Sequence, residues 1–138
     1  MTGYLLDTNV ISETRRSRPD TGVIAFLSAA TAEGLFLSVL TLGELRKGVA
    51  LKRRVDPLAA SDLGTWVEGI ATNFTDRILP IDTAIALRWG ELSAGRSLPV
   101  IDMLIAATAL SRDLTLVTRN TRDFESSGAL LLDPWQAG

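Results

Sequence analysis

The 138-residue chain contains neither cysteine nor histidine, and each absence removes a class of chemistry. Without cysteine there is no disulfide, no thiolate nucleophile and no cysteine–zinc site. Without histidine there is no Ser-His-Asp triad, no histidine metal site and no histidine acting as general acid or base. Any catalysis must therefore rest on carboxylates, hydroxyls, lysine or arginine side chains, or a bound metal ion.

Signals for export or membrane insertion are also missing. The amino terminus has no charged segment followed by a long apolar one, so we expect no signal peptide. The longest apolar stretch, residues 98–110, is too short to span a bilayer and contains Asp102. These features predict a cytoplasmic protein without membrane contacts.

Charge is distributed unevenly along the chain. Residues 1–54 include 8 basic and 5 acidic side chains, a net of +3, whereas residues 55–138 include 6 and 11, a net of −5. A basic segment on a mildly acidic protein can bind nucleic acid locally. Four arginines are candidate contacts for a nucleic-acid backbone or, alternatively, for a protein partner: Arg15, Arg16, Arg46 and Arg119.

Short apolar runs alternate with helical periodicities along the whole chain. Strands are predicted over residues 3–6, 35–39, 77–81, 114–117 and 129–132. Helices are predicted over 20–30, 41–54, 56–74, 82–94 and 99–110, with a short turn or helix over 7–13. Alternation of this kind, with several strands apolar throughout, predicts a parallel sheet covered on both faces. The length favours a single domain spanning residues 1–138.

Two acids interrupt this pattern in the first third of the chain. Asp7 ends an apolar run, where it is either a turn and helix-cap residue or part of a site at the carboxyl edge of the sheet. Glu44 follows Thr41 at the capping-box spacing. Taken alone, that spacing predicts a helix cap with Thr41 at its first position.

Further polar interruptions lie in the last third of the chain. Asp102 falls in the first turn of a helix whose other residues are almost all apolar, and a buried acid there should be paired or coordinate a ligand. Asn120 and Asp123 follow the strand 114–117, and each could simply cap a short helix.

These positions can all meet at one edge of the sheet, because helix starts and strand carboxyl ends share that edge in a parallel sheet. Clustered carboxylates repel one another unless a cation intervenes. Oxygen ligands select a hard cation, Mg²⁺ or Mn²⁺, which can activate water and clamp the oxygens of a phosphodiester. The sequence therefore favours a metal-dependent hydrolytic site.

Four segments, in order and in spacing, resemble the motifs of PIN-domain proteins. They are residues 5–12 around Asp7, 38–48 around Glu44, 102–109 beginning at Asp102, and 116–124 around Asn120. The similarity extends over essentially the whole chain. It is most like the VapC toxins of bacterial toxin–antitoxin pairs, including FitB-like members, and the ending Asp133-Pro134-Trp135 resembles that subgroup as well.

The resemblance implies an α/β fold, a three-layer α/β/α sandwich with a mostly parallel sheet of about five strands. It implies a toxin that hydrolyses RNA with Mg²⁺ or Mn²⁺ and is neutralised by a cognate VapB-type antitoxin. It further implies a homodimer that reaches operator DNA only through the antitoxin.

The resemblance also assigns roles to individual residues. Three acids match the family's metal-binding positions: Asp7, Glu44 and Asp102. Four polar residues match positions that orient ligands or waters: Thr8, Asn9, Ser38 and Thr118. Where many members carry a fourth acid this chain has Asn120, with Asp123 three residues further on, so either side chain could complete the catalytic set.

Two other interpretations compete with this one. Receiver domains and aspartyl-phosphate phosphatases also place acids at strand ends. The phosphatases need a second acid two residues after the first, and this chain has Asn9 there. Receiver domains need a lysine late in the chain, and no lysine follows Lys52. A PIN-like module that only binds protein or RNA stays an alternative, because Asn120 replaces an acid. The few aromatic residues give no sign of extensive base stacking, and four of them are expected in the core: Phe36, Trp66, Phe74 and Trp89.

Overall fold

Five short strands form a single parallel sheet in the computed structural model, which describes residues 3–136. The strands are β1 (Gly3–Leu6), β2 (Leu35–Ser38), β3 (Ile78–Leu79), β4 (Leu114–Val117) and β5 (Leu131–Leu132). Their order in the sheet is β3-β2-β1-β4-β5, and every neighbouring pair is parallel. The sequence prediction of a mostly parallel five-stranded sheet is confirmed.

Seven α-helices within residues 3–136 connect and cover these strands. They are α1 (Thr8–Glu13), α2 (Thr21–Ala29), α3 (Val39–Arg53), α4 (Pro57–Asn73), α5 (Thr83–Ser93), α6 (Val100–Ser111) and α7 (Thr121–Phe124). Side-chain caps begin several of them: Asp20 accepts from the amides of Gly22 and Val23, and Asp82 accepts from that of Ile85. No helix within residues 3–136 is both long and apolar enough to cross a membrane.

The pleat of β1 divides the core between the two faces of the sheet. Leu5 points into a cluster with α6 residues and Leu116, whereas Leu6 points into a cluster with α1, α3 and Val117. Successive side chains of a strand face opposite ways, so one four-residue strand serves both layers. Helices α1 to α4 lie against the cluster that contains Leu6, and α5 to α7 lie against the cluster that contains Leu5, which gives the three-layer α/β/α sandwich.

The strand order creates a switch point between β1 and β4. The chain proceeds from β1 to β2 on one side of the sheet, and later returns to place β4 on the other side of β1. The register pairs Leu6 with Val117, so both strands end at the same level. The backbone amide of Asp7 donates to the carbonyl of Val117 over 2.9 Å, which extends the ladder by one step beyond β1. Ligands of open parallel sheets bind at such a point.

Candidate active site

Asp7 is a buried carboxylate fixed at the carboxyl end of β1. Its side chain is 7% exposed and caps α1 by accepting from the amide of Thr8 over 2.8 Å. Its second oxygen accepts from the hydroxyl of Thr118 over 2.8 Å, and the amide of Asn9 lies 3.5 Å away. Asp7 is therefore a helix cap, as one of the two interpretations of its position predicted, and the same carboxylate also lines the candidate site.

The pKa of Asp7 is raised above its ordinary value. Burial is the largest cause, and the nearby charges of Glu44 and Asp123 add to it. The hydrogen bonds from Thr118 and Thr8 oppose the increase by stabilising the ionised form. A buried acid held against this electrostatic cost is typical of functional sites.

Glu44 reaches the same place from the second turn of α3. The predicted cap at Thr41 is wrong: Ser38 is the N-cap and accepts from the amide of Leu40 over 3.0 Å, while Thr41 is buried inside the helix. Glu44 is therefore free of a capping role. Its Oε1 instead accepts from the hydroxyl of Thr8 over 2.5 Å, and so joins α3 to the start of α1.

Ser38 contributes to the site through backbone geometry. It is fully buried, and its hydroxyl contacts no acid among residues 3–136. By capping α3 it fixes where that helix begins, and thus where Glu44 projects. Ser38 thus positions the helix that carries one of the acids, and its role in orienting a ligand or water stays a prediction.

Asp102 enters from the first turn of α6, directly after the N-cap Pro99. Its pKa is raised, first by partial burial and then by the charges of Asp7, Asp123 and Glu44. These interactions place four carboxylates from four parts of the chain within electrostatic reach of one another. The convergence expected from the parallel topology is present.

Two side chains, Asn120 and Asp123, lie near the place of the fourth acid that many family members carry. Asn120 lines the cavity that also receives Asp7 and Asp102, and its backbone amide donates to the Thr118 hydroxyl over 3.0 Å. Asp123 is exposed on α7 and acts on Asp7 and Asp102 through its charge. Asn120 therefore supplies the local polar atom, and Asp123 supplies the nearby negative charge.

The acids open onto a shallow cavity of about 400 Å³. Its lining consists of Asp7, Thr8, Asn9, Ser12, Glu44, Asp102 and Asn120. Within residues 3–136, no three acidic side chains stand close enough together to form a ready-made metal cage. The donor set nevertheless suits a hard cation, because it consists of carboxylate, hydroxyl and amide oxygens. A cation would also offset the repulsion between carboxylates that helps to raise the pKa values of Asp7 and Asp102.

The four predicted arginines separate into different locations. Arg15 lines a second cavity, which borders the acids, and Arg16 pairs with the buried Glu13 at 3.5 Å. Arg119 lies beside the site, where its backbone amide donates to Asn9, and its guanidinium lies 5.2 Å from the ring centre of Trp135. Arg46 is not brought to the acids: it faces Gly64 in a separate cavity between α3 and α4.

Sequence reasoning missed three residues around the site. Ser12 lines the acidic cavity one turn after Thr8, a spacing that could have indicated it. Glu13 is buried and accepts from the amide of Asp20 over 2.8 Å, thereby holding the basic loop 14–19. Trp66 is only partly buried: one side packs on the core as expected, and another lines the cavity beside Glu44.

The fold and the site define a class, the open parallel α/β proteins whose ligand site, at the switch point of the sheet, is lined by carboxylates. Comparison with known families places this chain within that class. The family described as PIN domain matches residues 4–128, and the chain belongs to this family.

Curated relatives align over nearly their full length. Plasmid stability protein StbB of Pseudomonas syringae pv. tomato is 36% identical over 141 residues, covering 96% of this chain and 99% of the relative. Toxin FitB of Neisseria gonorrhoeae is 36% identical, with 95% and 97% covered. VapC ribonuclease Y4jK of Sinorhizobium fredii is 34% identical, with 96% and 97% covered.

Solved structures agree with the fold. FitAcB from Neisseria gonorrhoeae superposes with a TM-score of 0.87 at 36% identity, covering 96% of this chain and 98% of that one. FitAB bound to an IR36 DNA fragment gives 0.86 at 35% identity, with 96% and 95% covered. VapBC-5 from Mycobacterium tuberculosis, described as a member of the VapBC family of toxin–antitoxin systems, gives 0.59 at 27%, with 96% and 97% covered.

Proposed function

We propose that this chain is a VapC-type toxin, an endoribonuclease that hydrolyses RNA phosphodiester bonds and is neutralised by a cognate antitoxin. The observation that carries the proposal is the convergence of Asp7, Glu44 and Asp102 on one cavity in a chain of the PIN family. The relatives named as toxin and as VapC ribonuclease support it at 34–36% identity. The relatives solved as VapBC and as FitAB with DNA support an antitoxin partner that contacts operator DNA.

The acids have distinct roles in this proposal. Asp7 and Asp102 would hold Mg²⁺ or Mn²⁺, with Asn120 completing the oxygen set and Asp123 adding negative charge. The cation, when bound, lowers the pKa of water and offsets the charge of the phosphate. Three neighbours of Asp7 keep its carboxylate from turning out of the cavity: Thr8, Asn9 and Thr118.

Glu44 is the best candidate to take the proton from the attacking water. It stands on the exposed rim of the cavity, and the Thr8 hydroxyl fixes its Oε1. Its Oε2 has no hydrogen-bond partner among residues 3–136 and is available to a water in the cavity. Positioned proton transfer of this kind contributes about 10²- to 10⁴-fold to a rate.

RNA cleavage and metal binding test the proposal together. The purified chain should cut single-stranded RNA with Mg²⁺ or Mn²⁺, and EDTA should abolish the cleavage. Asp7→Ala and Asp102→Ala should each lose Mn²⁺ binding by calorimetry, whereas Asp62→Ala, at an exposed site on α4, should retain it. Cleavage at full rate in EDTA would refute the metal-dependent mechanism. Unchanged Mn²⁺ binding in both site variants would favour the alternative of a binding module.

Growth arrest tests the toxin assignment. Expression of the chain alone in the bacterial cytoplasm, where we propose that it acts, should stop growth, and Asp7→Ala should relieve the arrest. Co-expression of a small DNA-binding protein encoded just upstream should also relieve it. Equal toxicity of the wild type and Asp7→Ala would separate the site from the toxicity.

We also propose that the chain forms a homodimer through an apolar face beside the site. Val39, Leu51 and Ile101 are 37–51% exposed and line a common cavity of about 520 Å³ between α3 and the start of α6. Exposed apolar residues grouped in this way commonly mark an interface. Leu51→Asp should shift the purified chain to a monomer by light scattering, whereas Leu58→Asp, at an exposed position on α4, should not.

A further inference from the structure

A second cavity opens directly beside the acids, and its composition differs from theirs. It has a volume of about 210 Å³ and shares Thr8, Ser12 and Glu44 with the acidic cavity. Its remaining lining consists of Arg15, Leu45, Gly48, Leu63 and Trp66, and we call it the Trp66 pocket. A ligand held at the acids can therefore extend into the Trp66 pocket without leaving the protein surface.

The walls of the Trp66 pocket suit a flat ring with polar edges. Leu45, Leu63 and the indole of Trp66 provide apolar surface. Gly48 leaves space on the α3 side, since a Cβ built there would meet nothing within 4 Å. The polar rim comes from Thr8 and Ser12. A nucleobase has this combination of apolar faces and hydrogen-bonding edges.

Arg15 supplies a positive charge at the mouth of the same pocket. Its guanidinium lies 5.5 Å from the ring centre of Trp66, within the range of a cation–π contact. The loop that carries it is held by Glu13, which accepts from Asp20 and pairs with Arg16. The guanidinium is thus placed where it can stack on a base or contact the phosphate next to it.

We propose that the Trp66 pocket is a base-binding subsite for the nucleotide that adjoins the cleaved phosphodiester. The inference rests on the proposed ribonuclease function and adds a determinant of where RNA is cut. Trp66 and Arg15 bind the base, and the shared Thr8–Glu44 edge connects it to the acids. RNA is favoured over a peptide as occupant because the pocket is continuous with the acids and is edged by a cation stacked on an indole.

Abasic substrates measure this contact. The cleaved bond is first mapped on a single-stranded RNA, and then each flanking nucleotide is replaced in turn by an abasic one. For the wild type, removal of the base on one side should lower kcat/KM about 10-fold or more, which is the usual strength of base–aromatic stacking. In Trp66→Ala that penalty should disappear, because the contact is already absent. Trp89→Phe, at a tryptophan on α5, should keep the full penalty.

The same cycle separates a binding role from a structural one. If Trp66→Ala slows cleavage of intact and abasic RNA by the same factor, Trp66 only supports the fold and the proposal is wrong. Arg15→Ala should reduce the abasic penalty, with Arg15→Lys restoring less than half of the lost kcat/KM, because lysine keeps the charge but not the planar group. Arg88→Ala, at an exposed position on α5, should leave the penalty unchanged.

Fluorescence tests the subsite even if no RNA is cleaved. Single-stranded RNA added in EDTA should quench the tryptophan emission of the wild type and of Trp89→Phe, whereas Trp66→Phe should lose most of the quench and keep only the part that comes from Trp135 beside Arg119. Absence of the quench in the wild type would overturn the subsite. A quench without any cleavage would support the subsite while refuting the ribonuclease assignment. If Trp66→Ala abolishes binding of the upstream-encoded antitoxin and leaves the abasic penalty intact, the pocket holds a peptide and the proposal fails.

Discussion

The hydroxyl of Thr118 lies 2.8 Å from Oδ2 of Asp7, joining residues that are 111 positions apart in the chain. Thr118 follows β4 and Asp7 follows β1, and these strands are neighbours at the switch point. The same hydroxyl oxygen accepts from the backbone amide of Asn120. One fully buried side chain therefore orients an acid and also fixes the loop that bears Asn120.

Replacing this hydroxyl should weaken metal binding. Thr118→Val removes the donor that stabilises the ionised form of Asp7, so the pKa of Asp7 should rise further. Loss of such an outer contact typically costs about 10- to 100-fold in metal affinity. Mn²⁺ titration calorimetry at pH 7 checks the loss. Thr118→Ser retains the hydroxyl and should keep most of the affinity; an equal loss in both variants would contradict the role of the hydrogen bond.

Removing a charge at Asp102 should stabilise the protein in the absence of divalent cations. The pKa of Asp102 is raised by burial and by three neighbouring carboxylates, so its ionised form opposes folding. Asp102→Asn should therefore increase the free energy of unfolding at pH 7 by about 0.5–1 kcal/mol, a modest value because the group is partly solvated. Thermal unfolding in EDTA measures the gain, and Asp62→Asn at an exposed site should give none.

The stabilisation by Asp102→Asn should depend on pH in one direction. A carboxyl with a raised pKa binds its proton more tightly in the folded chain, so its penalty is full above the folded-state pKa and absent below the ordinary value of 3.8. The difference in Tm between variant and wild type should therefore shrink as the pH is lowered from 7 towards 4. A difference that grows over this range would contradict the electrostatic explanation.

Arg119 should contribute one phosphate contact to RNA binding. Its guanidinium is stacked on Trp135, and none of the ion pairs among residues 3–136 involves it. Arg119→Ala should weaken RNA binding and reduce the slope of log Kd against log salt by about 0.7 for a single strand. Filter binding measured between 50 and 200 mM salt gives the slope. Arg88→Ala, which removes an equal charge on α5, should leave the slope unchanged.

The sheet and the convergence of the acids were predictable because both follow from local patterns. Apolar runs fixed the central strands, and parallel topology then required Asp7 and Asp102 to share an edge. The start of α3 was misplaced because Ser38 and Thr41 are both good caps, and the choice between them depends on where β2 stops pairing. The outer strands β3 and β5 were predicted too long, since only two residues of each pair with a neighbour.

Contacts between side chains that lie far apart in the chain could not be predicted from the sequence. The periodicity of α4 correctly placed Trp66 on the buried stripe, but it carries no information about a cavity beside that stripe. The stacking of Arg15 on Trp66 and of Arg119 on Trp135 depends on how loops settle against helices. The sequence indicated only that the ending 133–135 resembles the VapC subgroup. In the structure, Trp135 of this segment supports the guanidinium of Arg119.

Glu13 should be important for stability although it lies outside the acidic cavity. Its carboxylate is 6% exposed, accepts from the backbone amide of Asp20 and pairs with Arg16. Glu13→Ala leaves that amide without its acceptor and should lower the free energy of unfolding by about 1–3 kcal/mol. Glu13→Gln keeps an acceptor oxygen and should lose less than half as much, because its exposed partner Arg16 adds little. Urea unfolding should show a lower midpoint with an unchanged slope, and equal losses in the two variants would assign the effect to the ion pair instead.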